Sequence, residues 1–286
     1  MAPTAPAGLM PLPTTSAPPG AGTLTPWRCE MSRAGKRIGR QAVGLLMLVA
    51  FCLAPPVEAR EEGELRIACA SNFYPTLKKL AVLFNEDHPQ VALDLISGAS
   101  GHLYQQIRHG APYQLFLSAD SAYPAALHRN NGNSVPRTYA LGRLAIWDPR
   151  GLGLNGERQY TVAIANPATA PYGRAAEAAI ARYRDARPAP RWRIVVAANV
   201  SQATQLVDGG NADLGLVALS LIQARRGEYR VLPADWHRPL VQQGVVVNPG
   251  DPLAEAFMAF LFSERAGRLI RAAGYALPGG TDALAR

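Results

Sequence analysis

Four short segments place hydroxyl, amide or small residues where an apolar strand gives way to a helical pattern. They are Ser71-Asn72, Ser100-Gly101, Pro171-Tyr172-Gly173 and Asn199-Val200-Ser201. The first turn of a helix leaves backbone N–H groups without intrahelical acceptors and carries partial positive charge, so several such starts facing one cleft hold an anion without Lys or Arg. Ser hydroxyls and the Asn72 amide add donors. Any one of these junctions alone reads as an ordinary N-cap. Together they follow four strand ends, where open α/β sheets place ligands.

Other chemistry finds less support. Gly98-Ala99-Ser100-Gly101 lacks the G-x-S-x-G spacing of a nucleophile elbow. The five histidines, His88, His102, His109, His128 and His237, include no H-E-x-x-H pairing, and no P-loop or dinucleotide-binding glycine fingerprint occurs. Asp120 and Asp213 could form a general-acid pair, yet both follow small residues at turn-like positions, which suits capping of loops. Cys69, beside Ile67 and Ala68, reads as strand core, because buried thiols are usually inert. Arg174, just inside a helix start, is the nearest guanidinium for an organic carboxylate and reads as a solvated surface residue.

The elements that must position the four junctions alternate. Leu65–Ala70 predicts a strand, followed by a helix whose stripe is Leu77, Leu80, Ala81 and Phe84 and which stops at His88-Pro89. Val91, Leu93 and Leu95 alternate as a strand, Leu103, Tyr104 and Ile107 form a helical stripe, and Leu115–Leu117 is a third strand before a short helix at Tyr123–His128. Strands are expected at Leu144–Trp147, Thr161–Ala165, Ile194–Ala197, Leu214–Val217 and Gly244–Val247, with helices after Gly173, after Ser201, and over Leu253–Phe262. This repetition predicts an α/β fold with mainly parallel sheets and helices on both faces. If the chain crosses near Leu141–Ile146 and again near Pro239–Val246, residues 60–141 plus 240–286 form lobe I and residues 142–239 lobe II, with a ligand cleft between. A single doubly wound sheet satisfies the same periodicity. The glycine-containing run Pro149–Gly156 marks a turn just inside the second lobe.

Residues 1–30 are rich in Ala, Pro, Gly, Ser and Thr and read as a low-complexity extension. From Met31, a second candidate start, the basic residues Arg33, Lys36, Arg37 and Arg40 precede an apolar run from Ala42 to Ala54. Small residues at Val57 and Ala59 suit signal-peptidase cleavage, so residues 31–59 read as a secretory signal; the run is short for the alternative, a membrane anchor. Cutting after Ala59 removes five basic and two acidic side chains, and the net charge falls from +8 to +5. That mild, dispersed charge, without a Lys/Arg block, argues against a nucleic-acid surface. Only Cys69 of the three cysteines survives the cut, which excludes an intrachain disulfide.

Several stretches resemble bacterial periplasmic molybdate-binding proteins. Ala68-Cys69-Ala70-Ser71-Asn72-Phe73 is similar to the family's first binding loop, and Ser97-Gly98-Ala99-Ser100-Gly101-His102-Leu103-Tyr104 to its second. Gly110-Ala111-Pro112-Tyr113-Gln114-Leu115-Phe116-Leu117-Ser118-Ala119-Asp120 resembles its most recognisable stretch, with Gln114 where many members have Asp. The likeness continues through Pro171-Tyr172-Gly173, Ala212–Ser220 and Gly274-Tyr275. It implies a type II, two-lobed solute-binding protein that is not an enzyme and holds no cofactor. It further implies that the protein delivers molybdate or tungstate, as a monomer in the periplasm, to the permease and ATPase of an ABC transporter. The oxyanion shell then falls on Ser71, Asn72, Ser100, Tyr172 and Val200, the last two acting through backbone N–H, with no direct metal coordination. Ala218 stands where some members carry a ligand Tyr, and Asn72 is a candidate replacement donor. Sulfate, phosphate or an organic acid, or an enzyme on the same scaffold, remain the competing readings.

Overall fold

The computed structural model describes residues 63–153, 158–186 and 191–279. The chain divides into Met1–Glu58 and Ala59–Arg286, and every described residue belongs to the second unit. The extension, the export signal and the Ala59 junction lie outside the described residues.

Two five-stranded sheets form the frame. The first contains β1 (Gly63–Ala70), β2 (Val91–Gly98), β3 (Leu115–Leu117), β4 (Arg137–Gly142) and β10 (Leu240–Val246), in the order β2-β1-β3-β10-β4. The second contains β5 (Leu144–Asp148), β6 (Tyr160–Ala165), β7 (Trp192–Ala197), β8 (Leu214–Ala218) and β9 (Glu228–Val231), in the order β7-β6-β8-β5-β9. In each sheet four strands run in one direction, and the fourth in order, β10 or β5, runs against them and is antiparallel to both neighbours. Each reversed strand is the first laid down after the chain arrives from the other sheet. It enters from the end where the parallel strands finish, whereas a β-α repeat always restarts at the opposite end.

Helices cover both faces, as the expected α/β class requires. Helix α1 (Tyr74–Asp87) buries Thr76, Leu77, Leu80, Ala81 and Phe84 and ends at His88, whose ring stacks on Phe84 at 4.2 Å. Around β1, Leu65, Ile67 and Cys69 pack in one core, while Ala68 joins a second with Leu103, Ile107 and Phe116 on the other face. Strand burial on both faces explains why β1 shows no polar alternation. Cys69 is wholly buried, and burial pushes its thiol up. The second sheet has its own core around Trp147, Tyr160, Val162 and Leu214. Strand β9 escaped the periodicity because it is an exposed edge strand throughout. Pairing of β10 with β4 slips between Gln242 and Gln243, leaving Tyr139 without an opposite residue. Such a bulge re-aims side chains, and Tyr139 and Gln242 are both buried there.

Candidate functional site

All four junctions meet at one cavity. It is lined by Ala70, Ser71, Asn72, Gly98, Ala99, Ser100, Ala119, Ala170, Pro171, Tyr172 and Val200. Its free volume is ≈ 10 Å³ within ≈ 180 Å³ of atom-free space; on the first measure a single water takes roughly 10–15 Å³. A space of that size leaves no room for an extended organic ligand. No charged side chain is among the lining residues.

The local turns decide which amides are left without an acceptor. Helix α2 (Ser100–Arg108) begins at Ser100, α4 (Pro171–Ala186) at Pro171 and α5 (Val200–Asp208) at Val200, with α3 (Ala122–Asn131) between the first two. The first junction differs from expectation. Helix α1 starts only at Tyr74, so Ser71 and Asn72 occupy a turn before it rather than its first residues. Neighbouring amides are committed: Ser71 N donates to Gly98 O (3.0 Å), Phe73 N to Ala70 O (2.9 Å), Gly101 N to Thr169 O (2.8 Å) and Gly173 N to Ala170 O (2.9 Å). Asn199 is the N-cap of α5 and accepts from Gln202 N at 3.0 Å, so for this residue the ordinary capping role holds. The N–H groups of Asn72, Ser100, Tyr172 and Val200 have no acceptor among the described residues. Ser100 Oγ accepts from Ala119 N at 3.0 Å, which fixes the hydroxyl and leaves its proton to donate.

Behind Asn72 lies a buried amide and phenol network. Asn72 Nδ2 is 3.0 Å from both Gln242 Oε1 and the Tyr275 hydroxyl, and Gln242 also reaches the hydroxyls of Tyr139 (3.2 Å) and Tyr172 (3.4 Å). Burial raises the phenols of Tyr139, Tyr172 and Tyr275, which keeps them neutral. The Tyr275 hydroxyl, 3.0 Å from Asn72 Nδ2, belongs to a residue that does not line the cavity. Nothing in the sequence analysis singled out Gln242 or Tyr139. Gln242 had a signal: it shares the inward face of β10 with Leu240, a polar residue at a core position.

Contacts tie the two sheets' layers together around the cavity. Ser201 Oγ donates to Ser71 O (2.9 Å), and Ser220 Oγ to Asn72 O (3.2 Å). A Cβ on Gly101 would lie 2.8 Å from Thr169 O and 2.6 Å from the Tyr123 hydroxyl, so glycine permits this close approach. Arg174, exposed as expected, also pairs with Asp120 at 2.5 Å. Asp120 accepts from Tyr123 N and Ser118 Oγ, and burial raises its carboxyl against the pull of those partners. Asp213 accepts from Thr161 N at 2.8 Å and pairs with Arg150. Both aspartates therefore brace loops and do not face each other as an acid pair. No group of three or more His, Cys, Asp or Glu able to hold a metal ion occurs among the described residues.

A molybdate-binding protein of Azotobacter vinelandii is 34% identical over 234 residues, covering 77% of this chain and 92% of that protein. One from Rhodobacter capsulatus is 34% identical over 255 residues, covering 84% and 96%. The solved structure of an Azotobacter vinelandii periplasmic molybdate-binding protein superposes with a TM-score of 0.68 at 37% identity, over 75% of this chain and 99% of that one. Residues 65–276 match the family model for bacterial extracellular solute-binding proteins, and the chain belongs to that family.

Proposed function

We propose that this protein is exported, captures molybdate or tungstate in the Ser71–Val200 cavity, and delivers it to the permease and ATPase of an ABC transporter. One observation carries the reading: Asn72, Ser100, Tyr172 and Val200, whose backbone N–H groups have no acceptor among the described residues, all line one small cavity whose lining residues include no charged side chain. Donors alone suit a fully deprotonated oxyanion, which brings only acceptors, and helix-start amides supply the compensating partial charge. Protonated phosphate is disfavoured because its own O–H meets no acceptor. The relatives whose names state molybdate binding support the choice of ion. Residues 60–141 plus 240–286 form lobe I and residues 142–239 lobe II, and the cavity closes between them. The protein acts as a monomer without a reaction of its own; the wall offers hydroxyls and amides but no acid, base or nucleophile pair. Residues 31–59 are the signal removed on export to the periplasm.

Native mass spectrometry of protein purified from oxyanion-supplemented medium tests this. The expected species is a chain beginning near Arg60 that carries one molybdate or tungstate. A sulfate or phosphate adduct, or an unliganded chain under the same conditions, overturns the assignment of the ion.

A further inference from the structure

Beside the cavity an ion pair joins elements of the two sheets. Asp120 follows β3 of the first sheet, and Arg174 lies in the first turn of α4, between β6 and β7 of the second. Arg174 Nη2 donates to Asp120 Oδ2 at 2.5 Å. Its Nη1 lies 3.4 Å from the Tyr123 hydroxyl on α3, and the guanidinium sits over the Tyr123 ring at 5.6 Å. Other ion pairs stay with one sheet: Arg150 with Asp213 and Arg225 with Asp208 join elements of the second, and Arg265 with Glu86 and Asp87 elements of the first.

Asp120 is prepared for this contact. Its side chain is 14% exposed, and Oδ1 accepts from Ser118 Oγ at 3.0 Å and from Tyr123 N at 3.2 Å, which leaves Oδ2 for Arg174. A carboxylate already fixed by two donors loses little freedom on pairing, unlike two long side chains that meet in water. Each end of the pair is also tied to a donor of the cavity. One residue before Asp120, Ala119 N holds Ser100 Oγ at 3.0 Å. Two residues before Arg174, Tyr172 carries an N–H without an acceptor among the described residues. Ala119, Ser100 and Tyr172 all line the cavity, whereas Asp120 and Arg174 do not. We propose that the Asp120–Arg174 pair is a clasp: two positioning residues that hold the Ser100 and Tyr172 donors together around the bound ion and so set how fast it leaves. This rests on the reading of the cavity as an oxyanion site that closes between two lobes.

Release of labelled molybdate into an excess of unlabelled molybdate, measured in a double-mutant cycle, tests the clasp. Arg174→Met keeps the stem and removes the charge. Asp120→Asn keeps an oxygen for Ser118 and Tyr123 and turns an N–H toward Arg174. Each alone is expected to speed release about fivefold, and the double variant no more than about twice as much as either, because both changes remove one contact. Association is expected to stay within about twofold, since the clasp forms after the ion has entered. Unchanged release from a folded Arg174→Met protein, or single effects that multiply in the double variant, overturn the clasp and leave the oxyanion reading intact. So does a change confined to association that runs in opposite directions in the two single variants, which is the mark of charge steering. If Asp120→Asn does not fold, Arg174→Lys decides. Lysine keeps the charge on a stem of similar length, and release is expected to return to within about twofold of the unsubstituted protein; release as fast as in Arg174→Met overturns the pairing. Failure of the unsubstituted protein to bind molybdate defeats the oxyanion reading itself, and the clasp with it.

Discussion

In the proposed site, Tyr172 and Val200 meet the ion through backbone N–H groups at the start of a helix, whatever side chain follows. Asn72, also proposed to meet the ion, has its side chain held by residues 170 and 203 positions away in sequence, Gln242 and Tyr275. Both sides offer neutral donors, but they should fail differently. The helix-start side is broken only by removing an N–H. The Asn72 side is broken by any change in a network of amides and phenols that stabilises one orientation over another.

The sharpest contrast comes from two substitutions at one residue. Val200 opens a helix and follows an extended residue, Asn199 at φ −150° and ψ 172°. Proline is favoured at a first helical position and requires an extended predecessor, so Val200→Pro is compatible with the fold. It removes the N–H and puts ring carbon in its place; molybdate affinity should fall at least about a hundredfold, whereas Val200→Ala should stay within about threefold. Equal losses in the two variants, measured by calorimetry, would show that the side chain rather than the amide matters.

Next in size are the side-chain donors. Ser100→Ala removes a donor to a charged acceptor, worth about 1.5–3 kcal/mol, or roughly ten- to a hundredfold in affinity. Asn72→Ala should cost a similar amount. Tyr172→Phe should cost less than either, because this residue acts through its N–H and its phenol faces Gln242. A ranking with Tyr172→Phe as the most damaging would make the phenol the ligand and erase the difference between the two sides.

A smaller effect separates the network from the backbone side by pH. Burial holds the phenols of Tyr139, Tyr172 and Tyr275 above their ordinary value. Above pH about 10 the unfolded chain releases these protons and the folded one retains them. The unfolded state then binds fewer protons, so stability falls as pH rises through that range. Replacing Tyr139 with Phe should flatten the alkaline decline in chemical denaturation, and an unchanged slope would mean that this phenol contributes nothing to it.

Much of the helix-start side was legible in the sequence. Strand ends followed by Ser100, Pro171-Tyr172 and Asn199-Val200 carry local signals, namely small residues, Pro at a helix start and an Asx cap. The Asn72 side was legible only in part. Ser71-Asn72 stood out as a motif, yet its position in a turn ahead of α1 and the Gln242 contact depend on tertiary structure. The slip in register that sets Tyr139 and Gln242 together arises between strands about a hundred residues apart, and no local pattern encodes it. The antiparallel course of β5 and β10 was hidden for the same reason, since an apolar run does not reveal its direction.

Competitive titration calorimetry with molybdate, tungstate and sulfate between pH 6 and 8 tests the central claim most directly. Amides fixed by helix starts cannot contract around a smaller ion. Sulfate would leave some donors unpaired at about 1–3 kcal/mol each, and two or three such misfits amount to several orders of magnitude in affinity. Molybdate and tungstate should compete for one site with comparable affinity, little changed across that pH range, and sulfate should bind far more weakly. Sulfate competing on equal terms, or a steep loss of molybdate affinity between pH 6 and 8, would contradict a cage of fixed neutral donors.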